Sequence, residues 1–273
     1  MGQLKRDIRF WICGLILMVI TLAGVLAPLV VPMDPNALDP PARLSGPSTT
    51  HPLGADELGR DVLSRLIYGA RLSMVLGLAS VTIAAVGGTA LGLIAGYSGG
   101  MTELLLMRLI DAILSFPPIL LALFVVQFIG SELRDLILTI GVLYIPRFAR
   151  VIHAVTLSIR HAEYVQAARA VGSPPWRIMG RTILPNVMAP LIVQFSLNMG
   201  NCILLESSLS FLGLGPQPPS VSWGRMISRA SVYMDLAPHV VIWPSIVVSA
   251  TIVAFSILGD ALRDAQDPRL RGR

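Results

Sequence analysis

LSMVLGLASVTIAAVGGTALGLIAGY, residues 72–97, carries no charged side chain and is longer than the about 20 apolar residues that a helix needs to cross a bilayer. Its apolar residues run without interruption, whereas a helix on a soluble core would confine them to one stripe. Gly77, Gly87, Gly88, Gly92 and Gly96 punctuate it. Small residues let neighbouring helices approach closely in lipid, so this stretch is expected to lie buried among other spans.

The rest of the chain agrees with a lipid environment. Of 273 residues, 54% are hydrophobic and 14% charged, against about 25% charged in an ordinary soluble domain. Upstream, Phe10 to Val31 has no charge and follows Lys5, Arg6 and Arg9. That run is too long for a signal-peptide core, so it reads as an uncleaved anchor. Between them the chain turns polar, and Pro32, Pro35, Pro40, Pro41, Pro47 and Pro52 argue against a long helix up to about Arg71.

Downstream, four further spans are expected at about Leu104–Phe128, Leu136–Ile152, Asn186–Leu205 and Val240–Gly259. Pro117 and Pro118 predict a kink or break in the first of these. Arg108 and Asp111 are spaced to pair across one helical turn, and Arg147 with Arg150 marks an expected cytoplasmic end. The reading is an all-α membrane protein of about six transmembrane helices with both termini cytoplasmic. It divides into residues 1–31 (N-terminus and first span), 32–71 (extracytoplasmic) and 72–273 (a five-span core with a polar loop at about 158–185). On this topology 14 Lys and Arg fall inside and 7 outside, the bias that the positive-inside rule expects.

Several chemistries are disfavoured. The arginines flank hydrophobic runs and form no basic face with interleaved aromatics, which argues against nucleic acid. Lys5 is the sole lysine, so no phosphate-cradling G-x-x-x-x-G-K-[ST] loop exists and ATP chemistry must reside in another polypeptide. His51, His153, His161 and His239 are scattered, with no H-E-x-x-H pair, and no G-x-S-x-G elbow occurs, so neither metal site nor catalytic residue is expected. Cys13 and Cys202 sit in apolar runs and read as small buried hydrophobes. Asp56, Glu57 and Asp61 lack the alternating spacing of a calcium loop and read instead as part of an external docking surface.

RHAEYVQAARAVGSPPWRIMGRTILPN, residues 160–186, is polar and helical in character between two hydrophobic segments. Tyr164, Ala167, Ala168 and Val171 recur on one face, with Glu163, Gln166 and Arg169 opposite. Gly172 offers a cap, and Pro174 with Pro175 stops the helix. Such a face can seat deep in a partner's groove while charged flanks fix its register; the alternative is an amphipathic loop lying on the membrane, for which the face is small and narrow. In the fifth span Gln194, Asn198 and Asn201 form a polar stripe that must face protein or water, either bordering a translocation path or joining packed helices. Glu206 closes that span, where it could meet a substrate amino group or an arginine of a partner.

The polar loop resembles the EAA loop of ABC importer permeases. Ala167, Ala168, Gly172, Leu184 and Pro185 match its consensus, while Gln166 stands at the leading acid and Thr182, beside Ile183, at the isoleucine. HPLGADELGRDVLSRLIYGARLS from His51, SFLGLGPQPPSVSWG from Ser210 and LGDALRDAQDPRLR from Leu258 resemble the dipeptide, oligopeptide and nickel permease family, in particular its DppC/OppC-like second subunit. The resemblance implies a type I ABC importer permease in the bacterial inner membrane. Its implied partners are a DppB/OppB-like permease, two cytoplasmic ATPases that bind ATP and Mg, and an extracytoplasmic solute-binding protein. Di- or oligopeptides are the expected cargo, with nickel or a metallophore as alternative; a stand-alone channel or secondary transporter is the alternative of another class.

Overall fold

The computed structural model describes residues 8–266. Lys5, Arg6, Arg269, Arg271 and Arg273, counted above for topology, and the end of the motif from Leu258 lie outside these residues. In chain order the helices are α1 (Ile8–Val25), α2 (Ala27–Val30), α3 (Val62–Ser98), α4 (Gly100–Leu114), α5 (Pro118–Ile129), α6 (Leu133–Ile159), α7 (Glu163–Ala170), α8 (Pro175–Arg177), α9 (Leu184–Phe211), α10 (Trp223–Ser231) and α11 (Pro238–Gln266). A π-helical turn, Ile178–Ile183, joins α8 to α9. Five helices are long and apolar enough to cross a membrane, and α4 with α5, bent by 90° at Pro117, forms the sixth candidate.

The glycines of residues 72–97 lie where the opening reading expects close approach. A Cβ added at Gly92 would stand 2.7 Å from the Ala149 carbonyl oxygen, and one at Gly96 2.6 Å from the Thr156 Cβ. α3 and α6 therefore touch along their backbones, and Leu76, Leu136, Ile140 and Phe148 fill the core beside that seam. α1 packs through Cys13 and Leu17 against Ala254 of α11, leaving Trp11, Leu15 and Val19 exposed to lipid.

Helix α3 begins at Val62, not near Leu72. The proline-rich segment ends at Pro52, and Asp61 caps the helix: its carboxylate accepts from the Ser64 backbone N–H (2.8 Å) and the Ser64 hydroxyl (2.6 Å). Asp61→Ala should lower stability by about 1–2 kcal/mol, read as a reduced melting temperature of the detergent-solubilised protein; an unchanged melt would show that the first turn needs no cap.

One charge pairing and one helix boundary are corrected. Asp111 pairs with Arg150 of α6 and not with Arg108, because α4 lies against α6 and presents the acid across the gap. Arg147 and Arg150 do not end their helix: α6 continues to Ile159, placing Arg147 fourteen residues after Leu133 and twelve before Ile159.

Candidate functional site

One end of the bundle carries α7 and the other carries α10. Helix α7 is seated on its own subunit by Val165, which is fully buried and packs with Ile152, Ile178, Ile183 and Val187. Ala162 and Ala168, one turn to either side, lean on the same cluster. Glu163 opens the helix, where a carboxylate complements the helix dipole. At the far end Gly172 adopts φ +75°, and the Ser173 N–H bonds the Ala168 carbonyl at 3.1 Å, closing the helix as its glycine implied.

The face expected to contact a partner is Tyr164, Ala167, Ala168 and Val171. Tyr164, Ala167 and Val171 are exposed, and Ala168 turns partly inward. Two of the flanking polar groups are engaged with this chain: the Gln166 amide donates to the His161 carbonyl (2.9 Å), and the Arg169 guanidinium lies 4.6 Å from the Tyr97 ring centre at the end of α3. Leu184 is half-buried and Pro185, in the first turn of α9, is exposed. The loop end thus presents an uncovered apolar strip on a firmly held helix, with Trp176 exposed beside it.

Sequence reasoning missed the groups beneath this loop. Glu103 of α4 meets His153 at 2.8 Å and Arg160 at 3.7 Å, and Arg160 donates to the Gly96 carbonyl at 3.2 Å. These ties join the end of α6 to the α3–α4 corner. They connect residues at least fifty positions apart, and no local spacing announces them. Val165 was legible in principle, as the apolar residue between two polar ones, but alanine spacing drew attention away from it.

The polar stripe of α9 divides between environments. Gln194 lines a cavity of about 560 Å³ with Val151, Leu197, Arg263 and Gln266, at the α7 end of α6, α9 and α11. Asn201 is exposed on the same face, its amide donating to the Leu197 carbonyl (3.1 Å), while the Tyr144 hydroxyl donates to the Asn201 carbonyl (3.1 Å). Asn198 instead faces inward and is buried, its amide bonded to the Gln194 carbonyl at 2.7 Å. A helix advances 100° per residue, so positions 194 and 201 share an azimuth from which 198 is displaced by about 40–60°.

Glu206 is placed inside the subunit, fully buried. One carboxylate oxygen accepts from the Ser210 hydroxyl (2.7 Å) and the Ser222 hydroxyl (2.8 Å); the other faces Ser207 (3.4 Å) and Ser73 (3.5 Å). Its partners come from α3, α9 and the residue preceding α10, so it ties the α10 end together and presents no carboxylate to a passing solute.

The acids that suggested a docking surface are also turned inward. Asp56 holds Arg60 at 2.7 Å and Arg65 at 3.4 Å, Asp61 caps α3, and Glu57 joins Arg60 to Arg229 at 2.9 and 3.4 Å. Desolvation, then repulsion from Arg229 and Arg60, lowers the pKa of Arg225 in α10, whose guanidinium donates to the Pro216 carbonyl and Gln217.

Comparison with known proteins places this arrangement. The profile of the family described as "Binding-protein-dependent transport system inner membrane component" matches residues 88–272. The glutathione transport system permease protein GsiD of Pectobacterium atrosepticum is 41% identical over 259 residues, covering 94% of this chain and 86% of that protein. The dipeptide transport system permease protein DppC of Alkalihalophilus pseudofirmus is 40% identical, covering 98% and 88%. The di/tripeptide transport system permease protein DppC of Pseudomonas aeruginosa is 41% identical, covering 94% and 87%. Among solved structures, an inward-facing form of the MetNI methionine ABC transporter superposes with a TM-score of 0.62 at 16% identity, over 74% of this chain and 97% of that one, a likeness of fold.

Proposed function

Because this chain belongs to the family of inner membrane components of binding-protein-dependent transport systems, we propose that it is the DppC-like half of a permease pair importing short peptides, glutathione included. It is a multi-pass protein of the bacterial inner membrane and a permease subunit of an ABC importer. The α7 end faces the cytoplasm with both termini, and the α10 end faces the solute-binding protein. Two ATPase subunits, holding ATP and Mg, grip the α7 loop; this chain hydrolyses nothing. ATP closes the ATPase dimer, α7 moves with it, and the spans rock to open the cavity outward. Relatives named for glutathione and dipeptides support peptide cargo over nickel.

One observation carries this reading: Tyr164, Ala167 and Val171 are left uncovered on a helix that Val165 and Arg169 hold rigidly to its own subunit. A rigid, apolar, uncovered element transmits force from a partner, whereas a channel or secondary transporter has no need of one. Ala167→Glu places a charge in that contact and should cut ATP-driven uptake by about tenfold or more, with basal ATPase activity retained. The assay uses the complete importer in proteoliposomes. Uptake that persists without the ATPases would favour the channel or secondary-transporter reading.

A further inference from the structure

Arg147 lies in the middle of α6, one of the helices long and apolar enough to cross a membrane. An arginine within or at the edge of a membrane span faces protein or water and pairs with polar or anionic groups. Among the described residues, no carboxylate stands within ion-pair distance of Arg147, in contrast to Arg150 one turn away, which holds Asp111. Its guanidinium rests instead over the Tyr144 ring, 4.6 Å from the centroid. That ring is itself fixed, because its hydroxyl donates to the Asn201 carbonyl on α9. Stacking on a held aromatic orients the planar guanidinium and leaves N–H groups on its edge free to donate.

The surroundings continue this donor-rich character. Asn201 is exposed beside Tyr144. One turn towards α7, Val151 on α6 and Leu197 on α9 line the cavity of about 560 Å³, together with Gln194, Arg263 and Gln266. Arg147 therefore stands one turn of α6 from a cavity whose lining, among the described residues, includes a second arginine and no acid. Two cations and three side-chain amides along one track match an anionic group. Every unmodified peptide carries one in its C-terminal carboxylate, and a guanidinium can take it with two parallel hydrogen bonds.

We propose that Arg147, stacked on the Tyr144 ring, receives the C-terminal carboxylate of the peptide on its way from the binding protein to the cytoplasm. This rests on the peptide-permease reading above. Because the binding protein selects the solute, loss of this contact slows passage and leaves KM in place.

The test compares trialanine with trialanine amide in the complete reconstituted importer, each at a concentration that saturates the binding protein. Arg147→Gln should lower the maximal uptake rate of trialanine about tenfold or more, the loss expected for one charge-assisted contact. KM, basal ATPase activity and co-purification of the subunits should stay unchanged, and amide uptake should change by less than about twofold. Arg147→Lys, which keeps the charge, should recover part of the trialanine rate. Equal losses for both peptides, or no loss for either, would overturn the assignment. Loss of co-purification would give the missing carboxylate to the neighbouring permease and overturn it likewise. If the wild-type importer takes up no trialanine with ATP, the peptide reading itself falls, and this inference with it.

Discussion

Gly88→Leu is expected to abolish assembly of the α3–α6 pair and, with it, all transport. A Cβ at Gly88 would collide with the Phe148 Cβ and stand 2.7 Å from the Ile145 carbonyl oxygen and 2.9 Å from the Ala149 backbone nitrogen. Two of those three atoms are backbone, so no rotamer change relieves the clash and the helices must separate. Overpacking a fitted core costs about 1–3 kcal/mol even where side chains can yield, and here the seam that must open is the principal contact between the two longest-packed helices of the core. Backbone approach through small residues is also what holds helices together where lipid removes the hydrophobic drive. Gly14 of α1 supplies the control: nothing lies within 4 Å of its added Cβ, so Gly14→Leu should leave expression and uptake unchanged. Membrane-inserted yield and the melting temperature in detergent report both variants; a Gly88→Leu protein that melts like wild type would show that the seam is not close-packed.

The second large effect is expected at Trp223. Its side chain is fully buried, its indole N–H donates to the Leu66 carbonyl at 2.9 Å, and its ring occupies the space that a side chain at Gly69 would need. It is the anchor by which α10 docks onto α3, in a cluster with Val62, Leu66, Met226 and Val240. Removing so large a buried side chain costs about 3–5 kcal/mol. Trp223→Phe keeps most of the volume and loses the hydrogen bond, a change of about 1 kcal/mol. Ser222, next in the chain, is one of the hydroxyls on Glu206, so loosening α10 also withdraws a donor from a buried carboxylate. Trp223→Ala should therefore melt well below wild type and expose the stretch from Gly213 to Ser231 to protease, with Trp223→Phe close to wild type. Equal melting temperatures for all three would mean that α10 is held by something other than its tryptophan.

Local pattern carried the membrane reading a long way. Four charge-free runs, and a fifth interrupted by Arg147 and Arg150, located helices that the structure shows as candidate spans, and Pro117 with Pro118 announced the bend between α4 and α5. The glycines of residues 72–97 foretold the close backbone contact of α3 with α6. Gly172 and the paired prolines marked where α7 stops. Each of these features depends on a residue and its near neighbours, through apolar run length, missing Cβ atoms or fixed φ, and such information lies on the sequence.

What the linear order could not supply is the identity of partners across helices. Arg108 is the obvious neighbour of Asp111 in sequence, yet Arg150 takes it because α6 passes alongside α4. Arg147 reads as the end of a span, and α6 continues through it as helix; that no carboxylate among the described residues pairs with it is visible only in the folded chain. Asn198 and Asn201 share a stripe on paper, but the neighbouring helices bury one and leave the other open. Glu206, placed by sequence at a mouth, is enclosed by serines from three segments that only folding brings together. The chain's own order thus determined that it is helical and lipid-embedded; the packing of α3, α6, α9 and α10 decided which polar groups are spent inside the subunit and which remain exposed, because pairing of charges depends on distance in space and on burial, and neither is a property of sequence separation.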